Sequence, residues 1–302
     1  MASPITMHKL TVIKRDGSEV PVKVQEIQDR ITSLCHDLTD LDPAAITIHV
    51  IGGLKDRMKT SELDDFAAQL CSANTSKNPQ YGQLATRLVV SNCHKVTSAS
   101  FTEVMKSLYW HYDQAGQHYP LITPDIYEML IAEENGVTYG SILDSYVNHD
   151  RDIHFNYFGL ITLMKAYLLK KHYILVERPQ HLYMRVALQI HGTDLNRVIE
   201  TYNYMSEHKM IHATPALQNA CTPCGNMISC FLLGTNDSMA ELYDTVKDCA
   251  LISKASGGIG LHVSNVRIRG SPIYSTGGTS KGIAPYLKVL NEIGRASCRE
   301  RV

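Results

Sequence analysis

The sequence predicts a mixed α/β protein: a small N-terminal α/β module, a helical domain, and then the first strands and helices of an α/β sheet or barrel. Three observations carry that expectation. Two β-rich runs within residues 11–22 flank an Asp16-Gly17 turn signal. Through the middle of the chain apolar residues recur at helical spacing, as in Leu182, Val186 and Ile190. Beyond His212 glycine and serine become frequent, and short β-branched runs at 228–233 and 259–266 alternate with helical stretches.

Taken in order, the opening runs read as a hairpin, and Ile27, Ile31 and Leu34 then recur at helical spacing. Asp42-Pro43 breaks the chain, and residues 44–54 are a short run rich in β-branched side chains. Thr60 or Ser61 caps the next predicted helix, whose first turn carries Glu62, Asp64 and Asp65. A further helix spans 81–97 and closes the first module near residue 100. A helix over 101–117 leads outward, and the turn-rich stretch to Pro124 is the expected domain boundary. Pro179 starts the helix carrying the Leu182, Val186, Ile190 stripe, and Thr193-Asp194 opens another with Leu195, Val198, Ile199 and Tyr202. The expected division is therefore 11–100, 101–220 and 221–292, with 293–302 set apart as a tail.

Composition limits the function. The 302 residues, 44% hydrophobic and 20% charged, suffice for two or three globular cores. Twenty-nine basic and 30 acidic residues nearly cancel, so no broad positive field gathers nucleic acid or an anionic membrane, and an anionic ligand must be held locally. The N-terminus lacks an apolar core of secretory length and no stretch approaches the ~18 apolar residues of a membrane span, so a cytoplasmic protein is expected. Eight unevenly spaced cysteines do not form a secreted disulfide framework; they are expected to be mostly reduced, with any disulfide catalytic rather than structural.

Several short motifs admit two readings. Lys14-Arg15-Asp16-Gly17 sets two cations beside a tight turn, which suits a polyphosphate or simply a charged hairpin tip. Gly257-Gly258-Ile259-Gly260 lacks the dinucleotide fingerprint, and the run from Gly277 to Gly282 lacks P-loop order, so close backbone packing is the default for both. Cys221 and Cys224 form a CxxC with Cys230 and His212 nearby, compatible with zinc or a redox pair. Cys230, inside the strand-like run 228–233, reads on its own as a buried, inert thiol.

Read together and in order, the stretches 12–17, Asn156-Tyr157-Phe158-Gly159, Glu177-Arg178-Pro179-Gln180-His181, 229–233, and 250–254 followed by 257–260 resemble the aerobic ribonucleotide reductase large-subunit family. The resemblance covers residues 11–292. It implies that the first module is an ATP-cone sensing ATP against dATP. Its nucleotide would be lined by Lys14, Arg15, Val20, Pro21, Val22, Lys23, Val24, Gln25, Glu26, Thr60, Asp64 and Lys95. Lys14, Arg15 and Lys95 supply charge for phosphates, while Asp64 reads equally as an N-terminal helix charge. A second effector site, for the dNTPs that select the base, is implied at Asp237, Ser238, Met239, Lys254, Arg267, Ser275 and Thr276, formed across a homodimer interface.

For catalysis the resemblance implies that Cys230 is one half of a redox pair, with Thr214, Ser229 and Gly258 holding the substrate ribonucleoside diphosphate; Thr214 stands where many relatives have serine. A thiyl radical lifts the ribose 3′-hydrogen, the 2′-hydroxyl leaves as water, and the cysteine pair delivers two electrons. Implied partners are a small subunit carrying the radical metal cofactor, a second large subunit, and thioredoxin or glutaredoxin as reductant, with no metal in this subunit. The family continues beyond the last matching residues, so the expectation is a truncated chain that is inactive alone, and residues 293–302, Cys298 included, fall outside the family pattern. The rival reading is a non-catalytic nucleotide-sensing regulator built on the cone.

Overall fold

The protein, seen in a computed structural model, is described over residues 10–255 and 257–299. It divides into two compact units, one made of residues up to Leu108 with Leu130–Met184 and the other of Tyr109–Met129 with the residues from Arg185 onward.

The first unit opens with β1 (Thr11–Ile13) and β2 (Glu19–Pro21), an antiparallel hairpin in which Thr11 faces Pro21. Gly17, at φ +84°, makes the turn, and Asp16 Oδ1 accepts from the Ser18 amide at 2.9 Å. Helix α1 (Val24–Leu34) follows, then α2 (Pro43–Gly52). The β-branched run is thus helical. Asp42 accepts from the Ala44 amide at 2.9 Å and Pro43 occupies the first turn, so the Asp-Pro pair starts a helix, and burial of Ile46, Thr47 and Val50 on one face outweighs their weaker helix propensity. Strand β3 (Met58–Lys59) pairs parallel with β1, placing β1 in the middle of a three-stranded sheet.

Helix α3 (Thr60–Ala73) begins one residue after Lys59. Neither Thr60 nor Ser61 caps it: Thr60 is the first helical residue, and the Glu62 carboxylate accepts from the Lys59 amide at 3.4 Å. Helix α4 (Gln80–Val96) packs against α3, and Ile31, Ile46, Val50, Ala68, Cys71, Leu84 and Leu88 form the shared core. Helix α5 stops at Tyr109 (Phe101–Tyr109) rather than running to 117, because residues 111–119 fold back on themselves through the Tyr112–His118 bridge and an Asp113 turn.

Helix α6 (Pro124–Ile131) leads to a small hairpin of β4 (Glu133–Glu134) and β5 (Val137–Thr138), helix α7 (Tyr139–Tyr146), a 3-10 turn (His149–His154) and α8 (Tyr157–Ala166), which packs on α4. Asn156 caps α8 through the Gly159 amide at 2.6 Å. A second hairpin, β6 (Lys170–Lys171) with β7 (Ile174–Leu175), precedes α9 (Pro179–His191). The expected single stripe on α9 understates its burial. Residues 177–188 are all buried, including Glu177, Arg178, Gln180, His181 and Arg185, whereas Ile190 is exposed. Polar side chains survive there because they have internal partners: Glu177 accepts from the Leu169 amide at 2.8 Å, and Gln180 donates to Asp152 at 2.9 Å. Burial, with the neighbouring His149 next, pushes the His181 pKa down to about 3, so its imidazole is neutral.

In the second unit α10 (Leu195–Ser206) is tied to the end of α9 by His191 and Thr201 at 2.8 Å. Helix α11 (Thr214–Asn219) is followed by β8 (Cys230–Gly234), α12 (Met239–Lys254) and β9 (Gly258–His262). Strands β8 and β9 run parallel with Cys230 opposite Gly258, so this is a βαβ unit, as the alternating texture predicted. A hairpin of β10 (Pro272–Ile273) and β11 (Gly278–Thr279) leads to α13 (Ala284–Arg299), whose backbone stays helical through 293–299. Among the described residues no helix is long and apolar enough to cross a membrane.

Seven cysteines are described and none of them is paired in a disulfide with another. Burial pushes the Cys71 thiol up to about 12 and the Cys93 thiol to about 11, and raises Cys35 and Cys249 as well. Cys221 is buried too, and only Cys224 and Cys230 are exposed. Iodoacetamide at pH 8 should therefore alkylate Cys224 and Cys230 in the native protein and the other five only after denaturation. Peptide mass spectrometry before and after urea reads this directly; native labelling of Cys71 or Cys93 would contradict the packing.

Candidate functional site

The strongest candidate lies in the first unit, where the hairpin β1–β2 covers α1, the start of α3 and the end of α4. A cavity of about 160 Å³ opens there, lined by Lys14, Arg15, Val20, Pro21, Val22, Lys23, Glu26, Thr60, Asp64 and Lys95 among the sequence-predicted residues. Val24 and Gln25 do not line it: Val24 is half exposed, and Gln25 turns along the helix to donate to Asp29 at 2.7 Å. The floor is apolar and was not foreseen, built by Val12, Ile27, Ile31, Val50, Leu63, Ala67 and Leu88. Pockets that enclose a whole small ligand start at about 300 Å³. This one suits part of a ligand, with the remainder lying across the charged rim.

Asp64 organises that rim. Its side chain is only 9% exposed, and it takes Arg30 in a two-pronged pair at 2.5 and 2.9 Å, Arg15 at 3.2 Å and Lys95 at 3.8 Å. Three cations thus meet one carboxylate, an excess of positive charge in a partly dehydrated place. The Lys95 pKa is lowered, chiefly by burial, with Asp64 opposing and Arg30 and Arg15 adding to the effect. The neighbouring Asp65 has its pKa raised, first by burial and then, against a hydrogen bond from Asn92, by the Asp64 charge. Such an arrangement leaves cationic donors available to an anion. The reading of Asp64 as a simple helix-start charge therefore gives way to an ion-pair hub.

Sequence reasoning missed Arg30. A signal was available, since Glu26 and Arg30 stand four apart on α1 and share the face that carries Lys23 and Ile27.

The second unit brings other predicted residues together. Ser229 and Cys230 enter β8 beside Gly258: the Ser229 carbonyl accepts from the Gly258 amide at 2.7 Å, and Ser229 Oγ lies 3.6 Å from Cys230 Sγ. Cys230 is exposed, which overturns its reading as an inert buried thiol. Thr214 starts α11, and Asn219 at the end of that helix donates to the Asn226 carbonyl at 2.7 Å. The Gly-rich run is tightly packed, as expected, for a Cβ on Gly257 would fall 2.4 Å from Ile252 and 2.7 Å from Phe231.

Asp237 is paired with Arg267, whose guanidinium also donates to the Pro272 carbonyl at 3.4 Å, where the β10–β11 hairpin carrying Ser275 and Thr276 begins. Ser238 caps α12 by accepting from the Glu241 amide at 3.2 Å, ahead of Met239. Lys254 ends the same helix, roughly 22 Å from Met239 at the α-helical rise. One copy of this chain therefore does not bring Lys254 to the Asp237–Arg267 pair.

The zinc reading of the CxxC fails. Cys221 is buried with its thiol on the Arg185 carbonyl at 3.2 Å while Cys224 is exposed, and no three of Cys221, Cys224, Cys230 and His212 converge as ligands.

Residues 10–96 match the ATP cone domain, 153–225 the ribonucleotide reductase all-alpha domain, and 228–299 the ribonucleotide reductase barrel domain. The chain is 44% identical to the ribonucleoside-diphosphate reductase large chain 2 of Saccharomyces cerevisiae over 94% of its own length and 32% of that protein. It is 45% identical to the large subunit of Caenorhabditis elegans, covering 36% of it, and 45% identical to that of variola virus, covering 37%, again over 94% of this chain. It spans about a third of the length of these relatives. With the three domain matches in chain order and this identity along nearly all of its residues, the chain belongs to the ribonucleotide reductase large-subunit family.

Proposed function

We propose that this chain forms the nucleotide-regulated part of a ribonucleoside-diphosphate reductase large subunit, with residues 11–100 as an ATP-cone that binds ATP or dATP. The observation that carries the reading is the triad of Arg15, Arg30 and Lys95 around the buried Asp64 above an apolar floor. The base fits the apolar cavity, Thr60 and Glu26 offer hydrogen bonds at its wall, and the triphosphate replaces water around the surplus cations and Lys14. Residues 101–220 then form the helical domain and 221–292 the first part of the barrel.

Within the whole protein the reaction is reduction of ribonucleoside diphosphates to 2′-deoxyribonucleoside diphosphates for DNA synthesis. Cys230 and a second cysteine donate two electrons and two protons as they form a disulfide, and the 2′-hydroxyl leaves as water. The side-by-side placement of Ser229, Cys230 and Gly258 supports this over a pure nucleotide sensor, which has no use for an exposed thiol at a strand mouth. The small subunit, a second large subunit meeting at the Asp237–Arg267 site, thioredoxin or glutaredoxin, and a cytoplasmic setting belong to the same proposal.

The test is calorimetric titration of ATP and dATP into the full chain and into the Lys14→Ala/Arg15→Ala variant. One saturable site present in the parent and absent from the variant is expected. Equal binding by both proteins, or none by the folded parent, would refute a working cone.

A further inference from the structure

We propose a divalent transition-metal site of zinc class formed by His94, His149 and Asp152. Among the described residues these are the one group of three metal-ligating side chains whose donor atoms come together, all within 4.8 Å of one another. Their placement follows from local geometry. His149 and Asp152 stand three apart on a 3-10 turn, where side chains at that spacing eclipse and therefore point the same way. His94 reaches them from the last turn of α4, with Nε2 2.7 Å from Asp152 Oδ2.

Two of the three ligands have the support that metal sites require. His149 Nε2 lies 2.8 Å from the Ala99 carbonyl, which only accepts, so that nitrogen carries the hydrogen and Nδ1 presents a bare lone pair. Nδ1 is buried and has no hydrogen-bond partner. A ligating histidine characteristically donates its second N–H to a backbone carbonyl, and the Ala99 contact supplies that bond. Asp152 is fully buried, and its other oxygen accepts from Gln180 Nε2 at 2.9 Å, leaving Oδ2 as a single-oxygen ligand.

Two neutral imidazoles and one carboxylate leave a fourth position for water, a set that suits zinc(II). With a metal ~2 Å from each atom the donors sit about 3.3 Å apart, so His149 turns inward and the His94–Asp152 hydrogen bond gives way to a metal bond to each partner. Binding needs only that His94 carry its proton on Nδ1, so no redox partner or leaving group is involved. The site would pin the last turn of α4 to the 149–154 turn, one residue away from Lys95, and it stands independently of nucleotide binding.

The test is titration of cobalt(II), then zinc(II), into the metal-stripped full chain. The expected result is one equivalent of cobalt with the visible d–d bands of a four-coordinate site and no thiolate charge-transfer band. Stoichiometric zinc should displace it, and melting temperature should rise on loading. His149→Gln should weaken uptake at least about tenfold. Circular dichroism confirms that the variant is folded, and His149→Phe serves should His149→Gln misfold. No cobalt uptake by the folded parent, uptake unchanged in the folded variant, or a spectrum dominated by thiolate bands would each overturn the site.

Discussion

Arg30→Ala is expected to abolish measurable ATP and dATP binding at the cone, a loss of at least about 100-fold in affinity if the lost contact is worth ~3 kcal/mol. The argument starts from charge. Arg30 makes the two-pronged contact with Asp64 and so sets where the carboxylate stands, while Arg15 and Lys95 reach Asp64 through single, longer contacts. Removing Arg30 deletes one of the cations available to a polyphosphate and also leaves Asp64 free to turn, so the rim loses both charge and order. Arg30→Lys keeps the charge and loses the fork, so it should recover only part of the affinity. Asp64→Asn separates two roles for the carboxylate. If Asp64 chiefly holds the cations in place against their mutual repulsion, the variant binds nucleotide poorly and melts lower. If it chiefly opposes the incoming phosphates, the variant binds more tightly. The apolar floor and the short contacts favour the first outcome. Isothermal titration with denaturant melts of the same samples resolves the two, and an Arg30→Ala protein that binds ATP like the parent would remove the rim from the binding account.

How much of this was legible beforehand depended on whether the governing interaction was local. The hairpin at 11–21, the helices at 80–96, 179–191 and 195–206, and the βαβ unit were readable, because turn chemistry, capping residues and apolar periodicity act over a few residues. Helix α2 was not read from its β-branched composition, although Asp42 and Pro43 carried the start signal. Its helical state is decided by Ile46 and Val50 meeting the core of the module, a contact no local window contains. The rim was half legible: Lys14, Arg15 and Lys95 were named for their charge, but Asp64 as the hub of Arg15 and Lys95, and Arg30 as its partner, depend on α1, α3 and α4 coming together. The His94, His149, Asp152 group was invisible for the same reason, being 55 residues apart at its nearest crossing and lacking any paired-ligand spacing such as HxxxH. On α9 an apolar stripe was visible, but nothing local announces that residues 177–188, with Glu177, Arg178 and Gln180 at the helix entry, are all buried.

That entry motif explains the second large effect. Arg178→Ala should destabilise the first unit by about 3 kcal/mol or more, among the largest expected for a single polar substitution in this chain. Arg178 is buried and its guanidinium serves the open end of α4, with Nε donating to Thr97 Oγ1 at 2.9 Å and one terminal nitrogen donating to the carbonyls of Thr97 at 2.8 Å and His94 at 3.1 Å. A helix ends with unpaired carbonyls and a partial negative charge, and a planar cation satisfies both at once. Burial lowers the Arg178 pKa, opposed by Cys93 and Asp152, so the charge is held under strain that the carbonyls relieve. With alanine the carbonyls of His94 and Thr97 lose their donor inside the protein, where water reaches them poorly. Arg178→Lys retains charge but offers no planar fork for both Thr97 and His94, so most of the loss should remain. The same end of α4 carries Lys95 at the nucleotide rim. Fraying it should therefore weaken ATP binding in the variant as well as lower its denaturation midpoint. Urea melts give the stability and titration on the still-folded protein gives the affinity. A lower midpoint with ATP binding unchanged would mean that the end of α4 is held independently of Lys95, and would detach this clamp from the cone's nucleotide site.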